Sequence, residues 1–227
     1  MSTRLFHLRH QTGETLVSLM VGLLLSIIVA LAMVSLYKVT TTTTTLASQD
    51  AAADTQLTAA LLRAGMASQD AGFGIAGATV GAQVKVIAAA ALSNQSLSGT
   101  VAAAQASGNA LLWATQTGAV AQCAGLLYQD ANDGSGGLYY LGPVNCSSGN
   151  LSAWSTLAWT STLWAERPAN QATRAYLQTK ISFSMANASC KPYGLTAAVG
   201  KVLLTIASTS RSGAPLREQQ CLFNFKV

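Results

Sequence analysis

Residues 15–37, TLVSLMVGLLLSIIVALAMVSLY, carry no charged side chain. As an α-helix this run would be ~35 Å long, enough to cross a hydrocarbon core of about 30 Å. Arg4 and Arg9, with His7 and His10, precede it. The positive-inside rule then leaves residues 1–13 in the cytoplasm and carries the bulk of the chain across the membrane. Three arrangements share such a segment. It can be a permanent single-pass anchor. It can be a secretory signal, since Ala30-Leu31-Ala32 has small-residue cleavage character; against this, the apolar run continues through Met33, Val34, Leu36 and Tyr37. The third begins at Gly13-Glu14, where a short basic leader ends on a glycine and the apolar helix starts at once.

Composition agrees with export. Of the 227 residues 50% are apolar and only 9% charged, against roughly 25% charged in soluble domains. Ala, Ser, Thr and Gly fill the gap, which suits a neutral surface. The net charge of +5 is unevenly spread: 163–227 hold eight bases and two acids (+6), and 38–162 hold three bases and five acids (−2). A basic C-terminal third could meet DNA or an acidic neighbour, but its bases are scattered singly, and ordinary solvation is the default. Cys123, Cys146, Cys190 and Cys221 include no C-x-x-C pair, which argues against zinc. An even count behind an export signal reads as two disulfides in an oxidising compartment. Of three connectivities, Cys123–Cys146 and Cys190–Cys221 are favoured because each pair flanks a plausible hairpin. Closing such loops would contribute about 3 kcal/mol each in the chain-entropy model.

The leader and the first helix resemble the class III signal of type IV prepilins. In that family a prepilin peptidase cuts after a glycine on the cytoplasmic side, and the apolar helix is kept. The phrase TLV-x-LMVGLLLS, with Arg63-Ala64-Gly65 and Ala71-Gly72-Phe73-Gly74 downstream, is most similar to minor pilins of the PilW type. The likeness covers roughly the first 60 residues; the remainder matches in general character only. The resemblance places the cut between Gly13 and Glu14, leaving a mature chain of 214 residues, 227 less 13. It also implies N-methylation by the same peptidase. Two residues depart from the family pattern. Glu14 stands where Phe or Met is usual, and Ser18 stands where a glutamate usually neutralises the terminal amine of an adjacent subunit. A buried unpaired ammonium is costly. Either Glu14 neutralises an amine locally, or the subunit sits at a filament end where Ser18 meets no other amine. The second account favours a tip or priming role over a shaft role.

The expected fold class is α+β and pilin-like: a long N-terminal helix packed on an antiparallel β-sheet headgroup. Its parts are a cleaved leader (1–13), a transmembrane or filament-core helix (14–38), an amphipathic continuation (39–70) and a β-rich headgroup (71–227). Leu46, Asp50, Ala53, Leu57, Leu61 and Ala64 recur at helical spacing, with Leu62 and Met66 alongside. The β-branched tract Thr40–Thr45 should soften the helix without breaking it. The helix should end near Ser68–Gly72. Expected strands are Val84–Ile87, Leu111–Thr115, Gly125–Tyr128, Leu138–Leu141, Lys180–Met185, Val202–Ala207 and Leu222–Val227, the last two forming a hairpin around Ser208–Arg217. Residues 88–110 and 146–162 read as loops or short helices.

Catalytic chemistry is scarce. Both histidines lie in the leader, so the processed chain would hold none, which removes His-dependent triads and metal sites. Gly72-Phe73-Gly74-Ile75-Ala76-Gly77 satisfies G-x-G-x-x-G but follows a helix rather than a strand, so it reads as a closely packed turn. Asp130-Ala131-Asn132-Asp133-Gly134 resembles a calcium loop, with Gly134 one place too early, and reads as a polar turn. Trp113, Trp154, Trp159 and Trp164 read first as core or interface packing and second as a surface that stacks on bases or sugars. The expected protein is a structural subunit, not an enzyme, and takes no cofactor. The resemblance names its partners: the prepilin peptidase, other minor and major pilins, and an inner-membrane assembly platform. It places the chain first in the inner membrane with a periplasmic headgroup, then in an extracellular pilus. Two alternatives stand beside it, a minor pseudopilin of a type II secretion system and a pilus-borne protein that captures DNA or a surface.

Overall fold

The computed structural model describes residues 15–130, 136–146, 149–167, 180–191, 200–209 and 214–225. The leader, Gly13, Glu14 and the centre of the Asp130–Gly134 segment lie outside these residues. Among the described residues one α-helix, α1 (Leu16–Ser68), is followed by nine strands: β1 (Val84–Ser93), β2 (Ser96–Val101), β3 (Ala110–Thr117), β4 (Val120–Asp130), β5 (Gly136–Asn145), β6 (Ser161–Arg167), β7 (Ser182–Cys190), β8 (Gly200–Thr209) and β9 (Pro215–Leu222). A 3-10 helix, Leu151–Thr156, precedes β6. The class is therefore α+β. The chain divides into two compact units between Ala51 and Ala52.

In the first unit, α1 runs without interruption through the threonine tract. Six consecutive β-branched residues lose rotamer freedom in a helix, but threonine can recover a bond by donating back to the preceding turn. Thr40 to Thr44 each donate Oγ1–H to the carbonyl four residues earlier, at 2.7–3.0 Å. Thr45 donates likewise to the Thr41 carbonyl.

In the second unit, the strands form two antiparallel sheets. One is six-stranded, in the order β2-β1-β3-β4-β5-β6; the other is three-stranded, β7-β8-β9. The last turns of α1 contribute Leu57, Ala60, Leu61 and Ala64 to a core shared with Val86, Leu111, Trp113 and Leu126 of the large sheet and with Phe183 and Leu204 of the small one. The helical stripe expected at Leu61 and Ala64 is there; Leu62 and Met66, by contrast, are 52% and 62% exposed. The alternate residues of the large sheet face a second core. It contains Ile87, Leu112, Leu127 and Leu141, and is closed by Cys146, Leu151, Trp154 and Trp159. A sheet buried on both faces explains the nearly continuous apolar runs of β3 and β4.

Three expectations from the sequence need correction. Only 102–109 form the expected loop; residues 88–101 continue β1 and supply β2. The hairpin between them turns at Asn94 and Gln95, both with positive φ (48° and 65°), the geometry of the tight primed turns. A bulge between Ala88 and Ala91 interrupts the β1–β2 ladder, and the Asn109 carboxamide takes the missing strand's place. Its Oδ1 accepts from Ala90 N at 2.7 Å and its Nδ2 donates to Ala90 O at 2.8 Å, so buried backbone groups stay paired. Secondly, β6 was not among the expected strands, although the 3-10 helix before it falls in the stretch expected to hold loops or short helices. Thirdly, the C-terminal strand is Pro215–Leu222 rather than Leu222–Val227, pairing Leu203 with Cys221 and Ala207 with Arg217. Its charged and amide residues mark an edge strand, while Phe223 and Asn224 form a turn and Phe225 drops into the core at 4% exposure.

The structure joins Cys123 to Cys146 (S–S 2.15 Å) and Cys190 to Cys221 (S–S 2.00 Å), the pairing favoured from hairpin placement. The second bridge links β7 to β9, the outer strands of the small sheet, beside the first residue of the middle strand. That residue is Gly200, paired with Cys190; a Cβ there would run into both sulfurs.

Candidate functional site

Two features stand out as sites for contact with other molecules. The first is the N-terminal stretch of α1. It is a single N-terminal helix long and apolar enough to cross a membrane, and none of its most apolar 18-residue window is buried. Leu16, Leu25, Val29 and Val39 are all at least half exposed. Aliphatic surface on this scale stabilises a structure only where lipid or another apolar surface covers it. Ser18 lies in the first turn, where its amide donates to Thr15 O at 2.8 Å. Gly22 has open space around it.

The second feature is a groove in the headgroup beside the C-terminal turns of α1. Pairing of β5 with β6 sets Tyr140 opposite Thr162, which puts Trp164 at the diagonal position within reach of an aromatic partner. The Tyr140 and Trp164 rings stack at 4.8 Å between centroids and 7° between planes. Trp113 meets Tyr140 at 6.3 Å and 56°. From the helix, the Arg63 guanidinium sits 4.2 Å from the Trp164 ring centroid, an attraction of about 0.5–1 kcal/mol at exposed sites. Arg63, Met66, Asp70, Tyr140, Thr162 and Trp164 line a hollow of about 540 Å³. A second hollow of about 310 Å³ shares Ala67, Asp70 and Tyr140 with it and extends to Phe73 and Pro143.

Burial raises the Tyr140 hydroxyl above its ordinary value of 10.0, the Asp70 carboxylate raises it further, and Arg63 partly offsets both. Folding therefore favours the neutral phenol. Its contribution to stability is complete below the unfolded value of about 10 and is lost as pH rises through the higher folded value. Asp70→Asn is expected to lower the pH at which Tyr140 ionises, and Arg63→Ala to raise it. Tyrosinate absorbance, measured as a difference against Tyr140→Phe, reads both shifts; displacement in the opposite directions would contradict the assignment.

Of the four tryptophans, Trp113, Trp154 and Trp159 are core residues, 2%, 8% and 0% exposed. The Trp159 indole donates to Trp154 O at 2.8 Å. Trp164 lines the larger hollow of the groove, and Trp113, although 2% exposed, borders the smaller one. The glycine-rich stretch after α1 is a turn and opens no helix. Gly72 N donates to Ala114 O at 2.9 Å and Gln116 N to Phe73 O at 2.8 Å. It thus covers the part of β3 that extends past the last β1 partner, Trp113. Gly74 has φ +73°, and a Cβ there would collide with the Gln116 carbonyl, so its glycine serves close packing rather than phosphate binding. Comparison with protein-family models, with curated proteins and with solved structures finds no match to this chain.

Proposed function

We propose that this chain is a minor pilin-like structural subunit, inserted in the inner membrane as a precursor, trimmed after Gly13 and assembled into a type IV pilus or related filament. The single observation that carries this reading is the division of labour within α1. Its apolar N-terminal stretch is left wholly exposed, while its last turns are core residues of a disulfide-bonded β headgroup. A helix of this kind can pass between lipid and a bundle of like helices at small cost. Its backbone bonds are internal, its threonine hydroxyls bond to its own carbonyls, and its aliphatic side chains need only a dry neighbour. The headgroup then lies in the periplasm before assembly and outside the cell afterwards. Partners on this reading are the prepilin peptidase, the inner-membrane assembly platform and other pilins. With Ser18 in place of a charge-neutralising glutamate, a position at the filament tip or in priming is favoured over the shaft.

Gly13→Ala tests the assignment of the processing site. In cells that carry a prepilin peptidase, the variant is expected to accumulate with residues 1–13 attached and to be lost from sheared filaments. Normal trimming of the variant would refute the site.

A further inference from the structure

The groove beside the end of α1 has features that the filament reading does not use. Its polar groups are mixed in sign and poorly spent. Among the described residues no hydrogen bond engages the Asp70 carboxylate or the Tyr140 hydroxyl, although the carboxylate is near enough to oppose ionisation of the hydroxyl. Arg63 lies over the Trp164 ring, 4.2 Å from its centroid, and its guanidinium carries five N–H donors. The aromatic rings hold one another in place, so little ordering is needed to receive a ligand. At the far end Phe73, 56% exposed, offers an open ring, and Met66 is 62% exposed.

We propose that this groove binds a neutral saccharide, with hydroxyls on Asp70, Tyr140 and Arg63 and a sugar C–H face on Phe73. Three points select this class. One carboxylate and one guanidinium leave the site without net charge, so neither a polyanion nor a polycation is favoured. Each sugar hydroxyl both donates and accepts, so one ligand type can serve the acceptor Asp70 and the donor Arg63 together. Convergent polar groups in an aromatic-lined hollow are the general form of a small-ligand site. A nucleic-acid strand would place phosphates beside Asp70 with a single cation to compensate, and multiple phosphate contacts are what give such complexes their affinity.

The proposal does not rest on the filament reading and is tested apart from it. The full chain is purified in a detergent without a sugar headgroup and titrated with chitotriose, cellotriose and maltotriose, reading tryptophan fluorescence and saturation-transfer NMR. At least one trisaccharide is expected to bind saturably, with contacts from its ring protons. Phe73→Ala and Asp70→Asn should each weaken it at least tenfold while leaving the melting temperature in place, because both side chains are exposed. The proposal is overturned if none of the three binds, if binding survives both substitutions, or if the same residues instead capture an oligonucleotide or a peptide.

Discussion

Trp159→Ala is expected to cost the headgroup about 3–5 kcal/mol, the range for truncating a large aromatic in a packed core. For a domain of this size that lowers the melting temperature by roughly 10 °C. Trp159 is fully buried in the second core and takes part in three separate interactions. Its ring belongs to the core that also holds Ile87, Leu112 and Leu141. Its indole donates to Trp154 O at 2.8 Å, and its own amide holds Gln95 O at 2.8 Å, next to the β1–β2 turn. Alanine keeps only the last of these. Trp159→Phe should fall between the two, since it restores most of the volume but leaves a buried carbonyl without its donor. Trp164→Ala, which empties a groove rather than a core, should cost far less. Near-ultraviolet circular dichroism during thermal unfolding separates these variants. A loss below about 1 kcal/mol for Trp159→Ala would contradict the packing of the second core.

Removing the Cys190–Cys221 bridge, by the double change Cys190→Ala and Cys221→Ala, is expected to cost roughly 3–4 kcal/mol in the chain-entropy model. The two cysteines are 31 residues apart. The bridge spans a sheet of only three strands, and apart from the Phe183–Gly108 bridge both flanking strands pair with β8 alone. The loss should therefore concentrate in β7–β9, read as faster amide exchange at Leu203, Thr205 and Gln219 than in β3 or β4. An unchanged melting temperature and exchange pattern after removal would reject a stabilising role for the bridge.

How much of this was legible beforehand divides along physical lines. Elements specified by local pattern were readable. The apolar run needed only its length and lack of charge, and the end of α1 at Ser68 was marked by the glycines at 72, 74 and 77. Elements specified by long-range pairing were not. β2 is Ser, Gly and Thr around one buried leucine, with the exposed Val101 at its end, so it lacks the apolar alternation that marks a half-buried strand. β9 hides behind Arg217-Glu218-Gln219-Gln220, a sequence suited to an edge and silent about it. The groove was hidden for the same reason. Tyr140 and Trp164 are 24 positions apart and meet only through the β5–β6 register, and β6 itself gave no clear signal. The turn-forming Asn94, which with Gln95 takes positive φ in the structure, was the one local clue that could have revealed β2.

The account stands on α1 being kept by the finished protein rather than cut away from it. Intact-mass and N-terminal peptide spectrometry of the exported chain measures this directly. The expected product starts at Glu14, carries both disulfides and has a methylated terminal amine. A chain starting at Met33, with most of the apolar run removed, would contradict the account, and so would one that still begins at Met1.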